Sequence, residues 1–389
     1  MYLDADDEKI LNGEYGETRQ KMMEILVALG KVFGAERLVP IKSAQVSGAS
    51  YKTIGKWGLE WLQSLDARVA VPSVLNPIGM DREKWFEMGI EPAFAERQEE
   101  VLAAYRRLGI KLECTCTPYY LAITDYGDHL SWSESSAVVY ANSVIGARTN
   151  REGGPSALAA AIIGKTPFYG LHLVENRKPQ VSVVVEGCDP ARGLRSDHFG
   201  AIGHLAGKEV GNRIPFFSGI RPTKDQLKSL GAAMAASGAV ALFHVDKITP
   251  ESRVFSFDAG GLETITIEAQ EVEEVFSSIE VDAVAVGCPH CSPAELERIA
   301  GLLRGKTVTK PFFIFAARGV VRSNRETVDA IEKSGARVYE DTCMVVSPAM
   351  ERFSAIMVDS GKALAYVPGM CGAAARIGTI EECVAEATS

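Results

Sequence analysis

The sequence predicts an α/β protein of several domains with parallel sheets, and three observations support this class. From about residue 212 onward, short apolar β-type runs alternate with amphipathic helical segments, as they do in doubly wound sheets. With 389 residues the chain is too long for one ordinary core, so we expect two or three domains. Hydrophobic residues make up 47% and charged residues 23%, a balance typical of a fully folded globular protein.

The charge balance and the amino-terminal segment exclude several functional classes. Lys and Arg number 41 against 50 Asp and Glu, a net charge of −9, which argues against a nucleic-acid surface. The first residues are acidic and lack the features of a signal peptide, and no apolar run is long enough to cross a membrane. We therefore expect a cytoplasmic protein, in which eight cysteines are more often reduced, metal-binding or catalytic than paired in disulfides.

The amino-terminal half predicts helices that alternate with short strands ending in polar loops. Helical apolar spacing is found over 6–29, 91–108 and 157–163, the first helix being capped by Asp4 or Asp6. Apolar β-type runs are found over 38–41, 69–71 and 110–114. The loop 42–50 is rich in hydroxyl groups, and residues 153–156 open the third helix. Both segments could bind an anion through backbone amides.

The carboxyl-terminal half carries the regular alternation. The predicted strands lie at 240–245, 264–267, 282–286, 311–315 and 337–341. The predicted helices lie at 224–234, 271–278, from 293 onward, and 325–334. Arg318 follows one of these strands, where its guanidinium could pair with a carboxylate or a phosphate.

Cysteines stand at the ends of three predicted strands. Cys288 and Cys291 follow the strand 282–286, Cys343 follows 337–341, and Cys114 and Cys116 lie at the end of 110–114. Ligands collect at the carboxyl ends of parallel strands, so these ends could converge on one crevice. Three thiolates suit an iron-sulfur cluster better than a closed four-ligand zinc site. The alternative, that each cysteine is only a packed core residue, stays open for any one of them.

Through six motifs the chain resembles the aconitase X family over nearly its whole length. It specifically resembles the large subunit of the heterodimeric form. The motifs are SAQVSGASY (43–51), LNPIGMD (75–81), CTCTPY (114–119), WSESSAVVYANSVIGARTN (132–150), GCPH (287–290) and DTC (341–343). The resemblance implies an aconitase-like fold of three doubly wound α/β domains around an iron-sulfur cluster. We place these domains at residues 1–205, 206–280 and 281–389.

The resemblance also implies roles for individual residues. The expected ligands of a 4Fe-4S cluster with one open iron are Cys116, Cys288 and Cys343, with Cys114 as the rival of Cys116. Cys291 is left out because the family motif requires no cysteine after GCPH. The expected substrate contacts are Ser50, Asn76, Asn142, Ser143, Arg148 and Thr149. Lys42, Arg148 and Arg318 are the candidates for holding a carboxylate or a phosphate. The base is expected to be a serine of the partner subunit, with Ser50 or Glu134 as weaker options.

The activity that the resemblance implies is that of a hydro-lyase of the mevalonate pathway of isoprenoid biosynthesis. It would dehydrate mevalonate 5-phosphate to an anhydro-phosphomevalonate, together with a small swivel-domain-like subunit in a heterodimer. The absence of an appended swivel domain before residue 389 favours this substrate over cis-3-hydroxy-L-proline, the alternative within the family. Two further alternatives are a thiol-disulfide oxidoreductase using Cys-Pro-His-Cys and a structural zinc site. Both are weaker: the first leaves the other cysteine-bearing ends unexplained, and the second is unnecessary in a chain with its own cores.

Overall fold

Three parallel sheets organise the chain in the computed structural model, which describes residues 1–187, 198–255, 257, 260–276 and 278–389. The predicted class, an α/β protein with doubly wound parallel sheets, is therefore confirmed. The boundaries at residues 205 and 280 stay a prediction. Within the described ranges, no helix is both long enough and apolar enough to cross a membrane.

The first region contains a small parallel sheet flanked by helices. Its elements are α1 (Ala5–Leu11), α2 (Glu17–Val32), β1 (Leu38–Pro40), β2 (Ala44–Val46), α3 (Tyr51–Ser64), β3 (Ser73–Leu75), α4 (Pro92–Arg107), β4 (Ser131–Trp132), α5 (Ser135–Tyr140), α6 (Gly154–Ile163) and β5 (Lys165–Pro167). The strands β3, β2 and β4 form the parallel sheet in that order, and β1 pairs with β5 antiparallel. The carboxyl ends of β2, β3 and β4 thus open on one edge.

The middle region contains a four-stranded parallel sheet. Its elements are β6 (Val181–Glu186), α7 (His198–Val210), β7 (Pro215–Phe217), α8 (Lys224–Ser237), β8 (His244–Val245), α9 (Pro250–Phe255), β9 (Thr264–Glu268) and α10 (Ala269–Glu274). The strand order is β8-β7-β6-β9. Helices α7 and α8 pack closely because α7 presents glycine to α8: a Cβ at Gly203 would lie 2.4 Å from the Leu230 carbonyl oxygen.

The third region contains the largest sheet, with strand order β12-β11-β10-β13-β14, all parallel. Its elements are β10 (Ala283–Cys291), α11 (Pro293–Leu303), β11 (Phe312–Ala316), α12 (Arg318–Ser323), α13 (Arg325–Glu332), β12 (Arg337–Glu340), β13 (Ala355–Val358), α14 (Gly361–Cys371), β14 (Ala374–Ile377) and α15 (Ile380–Ala387). The central strand β10 is buried along its whole length, as its apolar composition predicts.

Short helical turns lie between the regular elements, and one of them directly follows Cys343. The 3₁₀ turns are Pro118–Leu121, Gly170–His172, Val174–Arg177, Met344–Val346 and Pro348–Arg352, and a π-helical turn covers Ala141–Ile145.

Three local predictions were wrong, each for a reason visible in the backbone. The helix predicted over 6–29 is two helices, because Gly13 and Gly16 adopt left-handed conformations, with φ of 85° and 94°, that end α1 before α2 begins. The strand predicted over 69–71 lies at Ser73–Leu75 instead. The run 110–114 contributes only an isolated bridge between Leu75 and Cys114.

The strand predicted to end at Gly287 continues through both of its cysteines. β10 pairs with β11 up to Val286, the ladder is then interrupted, and pairing resumes between Cys291 and Ala316. Gly287 makes this irregularity possible, since its φ is 98° and a Cβ would lie 2.2 Å from the Phe315 carbonyl oxygen. The bulge displaces Cys288 toward one face of the sheet, next to the crevice.

Gly287→Ala should therefore destabilise the chain, whereas Gly301→Ala should not. The first change combines a left-handed φ with a backbone clash, and we expect a loss of about 2 kcal/mol or more. Gly301 lies in α11 with no atom within 4 Å of an added Cβ, so alanine there should stabilise by about 0.5–1 kcal/mol. Urea denaturation of both variants checks this, and an unchanged midpoint for Gly287→Ala would contradict it.

Candidate functional site

Three of the cysteines that the sequence placed at strand ends meet in one buried site. Cys116 follows the Leu75–Cys114 bridge, Cys288 lies in the irregular part of β10, and Cys343 follows β12. Cys116 and Cys288 are buried, and Cys343 is partly exposed. Their charges interact: a thiolate at Cys343 raises the pKa of both Cys116 and Cys288.

The loop after β3 fastens two of these cysteine segments together. The Thr115 N–H donates to the Leu75 carbonyl at 2.9 Å, which fixes the segment of Cys116. The Cys343 N–H donates to the Ile78 carbonyl at 3.0 Å, and the Ile78 N–H donates to the Asp341 carbonyl at 2.9 Å. The loop 76–78 thus lies between the segments of Cys116 and Cys343, at the edge where strand ends meet.

The side chain of His290 contacts the segments of the other two cysteines. Its Nε2 lies 2.8 Å from the Thr342 carbonyl oxygen, and its Nδ1 lies 3.1 Å from Thr115 Oγ1. The His290 N–H donates to Cys116 Sγ at 3.1 Å. Burial lowers the pKa of His290 to about 4, so the ring is neutral at pH 7.

A buried ion pair supplies the positive charge of the site. Lys362, at the start of α14, is 3% exposed, and its Nζ lies 2.5 Å from Glu134 Oε1 and 3.1 Å from Ser136 Oγ. Burial alone would lower the pKa of Lys362, but Glu134 raises it well above its usual value. Burial would raise the pKa of Glu134, yet Lys362, Ser136 and the Ala137 N–H together lower it. Both groups are therefore ionised.

The Lys362 ammonium acts on all three thiols. Burial raises the pKa of Cys116 to about 12, and it raises the pKa of Cys288 and Cys343 as well. In each case Lys362 is the largest influence that lowers the pKa. A cation fixed beside buried thiols favours their thiolate form, which is the form that binds metal.

The remaining thiols near this site face elsewhere. Cys114 lies in the core of the first region, and Asp341 and Arg318 are the charged groups that most affect its pKa after burial. Cys288 and Cys291 lie in different cores of the third region, on opposite faces of the sheet. Cys116 rather than Cys114 therefore joins Cys288 and Cys343, and the two cysteines of Cys-Pro-His-Cys do not face each other as a redox pair would.

The donor set fits a cluster held by three thiolates. Within the part of the chain that the structure describes, no three His, Cys, Asp or Glu side chains are close enough to share one metal ion. A cluster is larger than a single ion and its cysteines bind different irons, so three thiols beside one buried cation suit it.

Two of the expected substrate contacts lie at the cysteine segments. Ser50 is the residue before α3, and its Oγ donates to the Val346 carbonyl at 3.1 Å, in the turn after Cys343. Asn76 follows β3, in the loop between the segments of Cys116 and Cys343. Its Oδ1 is buried, and no hydrogen-bond donor reaches it among the described residues.

Three other expected contacts are engaged in holding the fold. Asn142 Nδ2 donates to the carbonyls of Thr149 and Ala241, both at 2.9 Å, and its Oδ1 accepts from the Thr149 N–H and from Arg177. Ser143 Oγ accepts from the Phe243 N–H at 2.9 Å. Thr149 Oγ1 accepts from the Trp132 N–H at 3.1 Å. Asn142 and Ser143 thus join the first region to the middle region, while Thr149 bonds to β4 within the first region.

The three basic candidates lie apart from the thiols or are paired. Lys42 is exposed at the amino end of β2, the opposite end from the crevice, and its N–H donates to the His129 carbonyl. Arg148 lies near the same edge, close enough to lower the pKa of His129. Arg318 pairs with Asp341 at 2.6 Å, and its N–H donates to the same carboxylate at 3.3 Å.

Sequence reasoning missed His290 and Lys362 as site residues. His290 belongs to GCPH, a motif recognised for its cysteine. Lys362 follows the apolar run of β13 and the capping residue Ser360, so it occupies one more strand end of the kind already singled out. A search of every strand end for charged residues, rather than for cysteines alone, would have found it.

Lys362→Met should destabilise the chain through Glu134. Without the ammonium, Glu134 is a buried uncompensated carboxylate, and we expect a loss of roughly 3–5 kcal/mol. The double variant Lys362→Met/Glu134→Gln should recover most of that loss, because no buried charge remains. Lys56→Met, which breaks an exposed pair with Glu60, is the control and should change stability by less than about 0.5 kcal/mol. Urea denaturation of the iron-free chains measures all three, and a double variant as unstable as Lys362→Met would contradict this account.

Comparison with protein families covers nearly the whole chain. The models for the aconitase X first, second and third domains match residues 1–175, 179–277 and 281–389. A crystal structure titled aconitase X of Thermococcus kodakaraensis, in its holo form, is similar over all of both chains. Its TM-score is 0.91 and its sequence identity 45%.

Curated relatives agree with this assignment. The chain is 56% identical to a protein of Methanosarcina mazei, covering 100% of this chain and 97% of the relative, and 50% identical to one of Methanothermobacter thermautotrophicus, covering 96% and 95%. Both are named phosphomevalonate dehydratase large subunit. A cis-3-hydroxy-L-proline dehydratase of Pseudomonas aeruginosa is 33% identical over 98% of this chain and 69% of its own length. Because the three domain models match in order along the chain, the chain belongs to the aconitase X family.

Proposed function

We propose that this chain is the large subunit of an iron-sulfur hydro-lyase that dehydrates mevalonate 5-phosphate to an anhydro-phosphomevalonate. The observation that carries the proposal is the meeting of three thiols beside Lys362, in a chain 56% identical to a protein named for this reaction. The relatives named cis-3-hydroxy-L-proline dehydratase are 33% and 30% identical, and the chain spans 69% and 68% of their length. That substrate is therefore the second candidate.

Cys116, Cys288 and Cys343 would hold the cluster, which we propose to be of the 4Fe-4S type with one iron free of protein ligands. When bound, such an iron supplies Lewis-acid chemistry that helps a hydroxyl group to leave. Lys362 favours the thiolate form of all three ligands. Lys362 and Glu134 are buried, which strengthens the charge interactions between them and the thiols.

Ser50 and Asn76 are our leading candidates for substrate contacts in this chain. Ser50 Oγ donates its proton to the Val346 carbonyl and can still accept a hydrogen bond from a substrate hydroxyl, as can the unpartnered Asn76 Oδ1. Asn142, Ser143 and Thr149 would act by holding the region that faces the substrate. Arg148, Lys42 and Arg318 stay candidates for the phosphate or the carboxylate. Of these, Arg318 is already in contact with Asp341 at 2.6 Å.

We propose that the base which removes the proton lies on the small subunit. Within this chain, Glu134 is a poor base because Lys362, Ser136 and the Ala137 N–H hold it as a carboxylate with a lowered pKa. A partner is supported by the relatives, which are named as large subunits. The chain alone should accordingly bind iron but release no product. The expected place of the enzyme is the cytoplasm.

The substrate is tested by anaerobic co-purification with the small subunit, iron and sulfide quantitation, and an ultraviolet assay for the new double bond. Iron, sulfide and product from mevalonate 5-phosphate are expected. Turnover of cis-3-hydroxy-L-proline alone would replace the substrate while keeping the reaction class. Preparations without iron would contradict the proposal as a whole.

Serine substitutions should separate the proposed ligands from their neighbours. Cys116→Ser, Cys288→Ser and Cys343→Ser each remove a soft thiolate ligand, and we expect iron content and dehydration to fall to background. Cys114→Ser and Cys291→Ser are matched controls, because these buried thiols lie in other cores, and both should keep iron. Iron per folded chain after gel filtration is the measurement. Iron loss in Cys114→Ser with retention in Cys116→Ser would reverse the assignment.

A further inference from the structure

Both ring nitrogens and the backbone N–H of His290 contact the segments of Cys116 and Cys343. The carbonyl of Thr342 can only accept a hydrogen bond, so Nε2 carries the ring proton and donates it at 2.8 Å. Nδ1 is therefore an acceptor, and Thr115 Oγ1 donates to it at 3.1 Å. The backbone N–H of His290 donates to Cys116 Sγ. No polar atom of this ring is left to bind a metal or a substrate.

The partners of His290 are each one residue from a proposed ligand. Thr342 precedes Cys343, and Thr115 precedes Cys116, while His290 itself lies two residues after Cys288. Thr115 Oγ1 is fixed in turn by accepting the Thr117 N–H at 3.0 Å. The contacts span 175 residues on one side and 52 on the other, so they join segments that are otherwise distant along the chain. One buried residue thereby links the chain segments that carry the three thiols.

We infer that His290 is a positioning residue that holds the segments of Cys116, Cys288 and Cys343 in a cluster-ready arrangement before iron is present. This inference rests on the proposed cluster, but it concerns the arrangement of the chain itself. Metal ligands are commonly oriented by hydrogen bonds from neighbouring groups, and the loss of such a group lowers metal affinity by roughly 10–100-fold. The imidazole performs this role because it joins a donor and an acceptor across one rigid ring.

Three variants test the inference. His290→Phe keeps a planar ring but leaves the Thr342 carbonyl and Thr115 Oγ1 without their partner. His290→Gln keeps a donor and an acceptor and should retain part of the positioning role. His244→Phe is the matched control, because His244 is also fully buried, with Nε2 at 2.8 Å from a backbone carbonyl, that of Arg177, in the middle region. A merely structural role would make the two phenylalanine variants behave alike.

The first measurement is amide hydrogen exchange in the iron-free chains. His290→Phe should speed exchange in segments 114–118 and 341–346, whereas His244→Phe should leave those segments at the wild-type rate. The second measurement is iron release to a chelator after anaerobic reconstitution. We expect roughly 10–100-fold faster release from His290→Phe, an intermediate rate from His290→Gln and a wild-type rate from His244→Phe.

The outcomes separate this inference from the proposed function. Wild-type exchange in both segments of His290→Phe, or iron release at the wild-type rate, would overturn the positioning role. In a second outcome, the wild-type enzyme holds iron but does not dehydrate mevalonate 5-phosphate, while His290→Phe shows faster exchange. This result would support the positioning role and reject the substrate. If the wild-type chain binds no iron, the proposed function fails, and the exchange data alone decide whether His290 fixes the segments.

Discussion

The ion pair between Lys362 and Glu134 is the interaction on which the rest of the site depends. Removing two charges from water is costly, and their attraction compensates only when further hydrogen bonds satisfy both groups. Ser136 and the Ala137 N–H provide those bonds to Glu134, which also caps α5. The pair therefore fixes the start of two helices, α5 and α14, and delivers a positive charge to a space that contains three thiols. There the ammonium opposes burial, which raises the pKa of all three thiols.

Parallel sheets explain why residues far apart in the chain reach this space. The crevice is bounded by the carboxyl ends of β2, β3 and β4 in the first region and of β10 and β12 in the third. A backbone bridge between Ile78 and Thr342 joins the two regions directly. Within the first region, the Gln45 side chain donates through Nε2 to the Thr115 carbonyl at 2.7 Å. The site is thus built where two sheets meet, and its geometry follows from the packing of whole regions.

The polar segment 132–150 illustrates how a binding motif can serve the fold. Asn142, Ser143 and Thr149 are buried, and hydrogen bonds of their side chains reach the middle region and the end of β4. Arg177 completes this connection, pairing with Glu251 at 2.7 Å while donating to Asn142. Such residues influence a substrate by fixing the surface around it. A motif shared across a family therefore marks positions whose roles differ: some bind and some hold.

The sequence by itself determined the fold class and the family, because apolar periodicity and short motifs are local properties of the chain. Only the tertiary structure decided that Cys116 rather than Cys114 joins the other two thiols, since neighbouring residues can face different cores. It also revealed Lys362 and His290. Lys362 meets Glu134 across 228 residues and His290 meets Thr115 across 175, and no local pattern encodes contacts over such separations. The single helix predicted over 6–29 was wrong for a local reason: two glycines interrupt it, despite the helical apolar spacing around them.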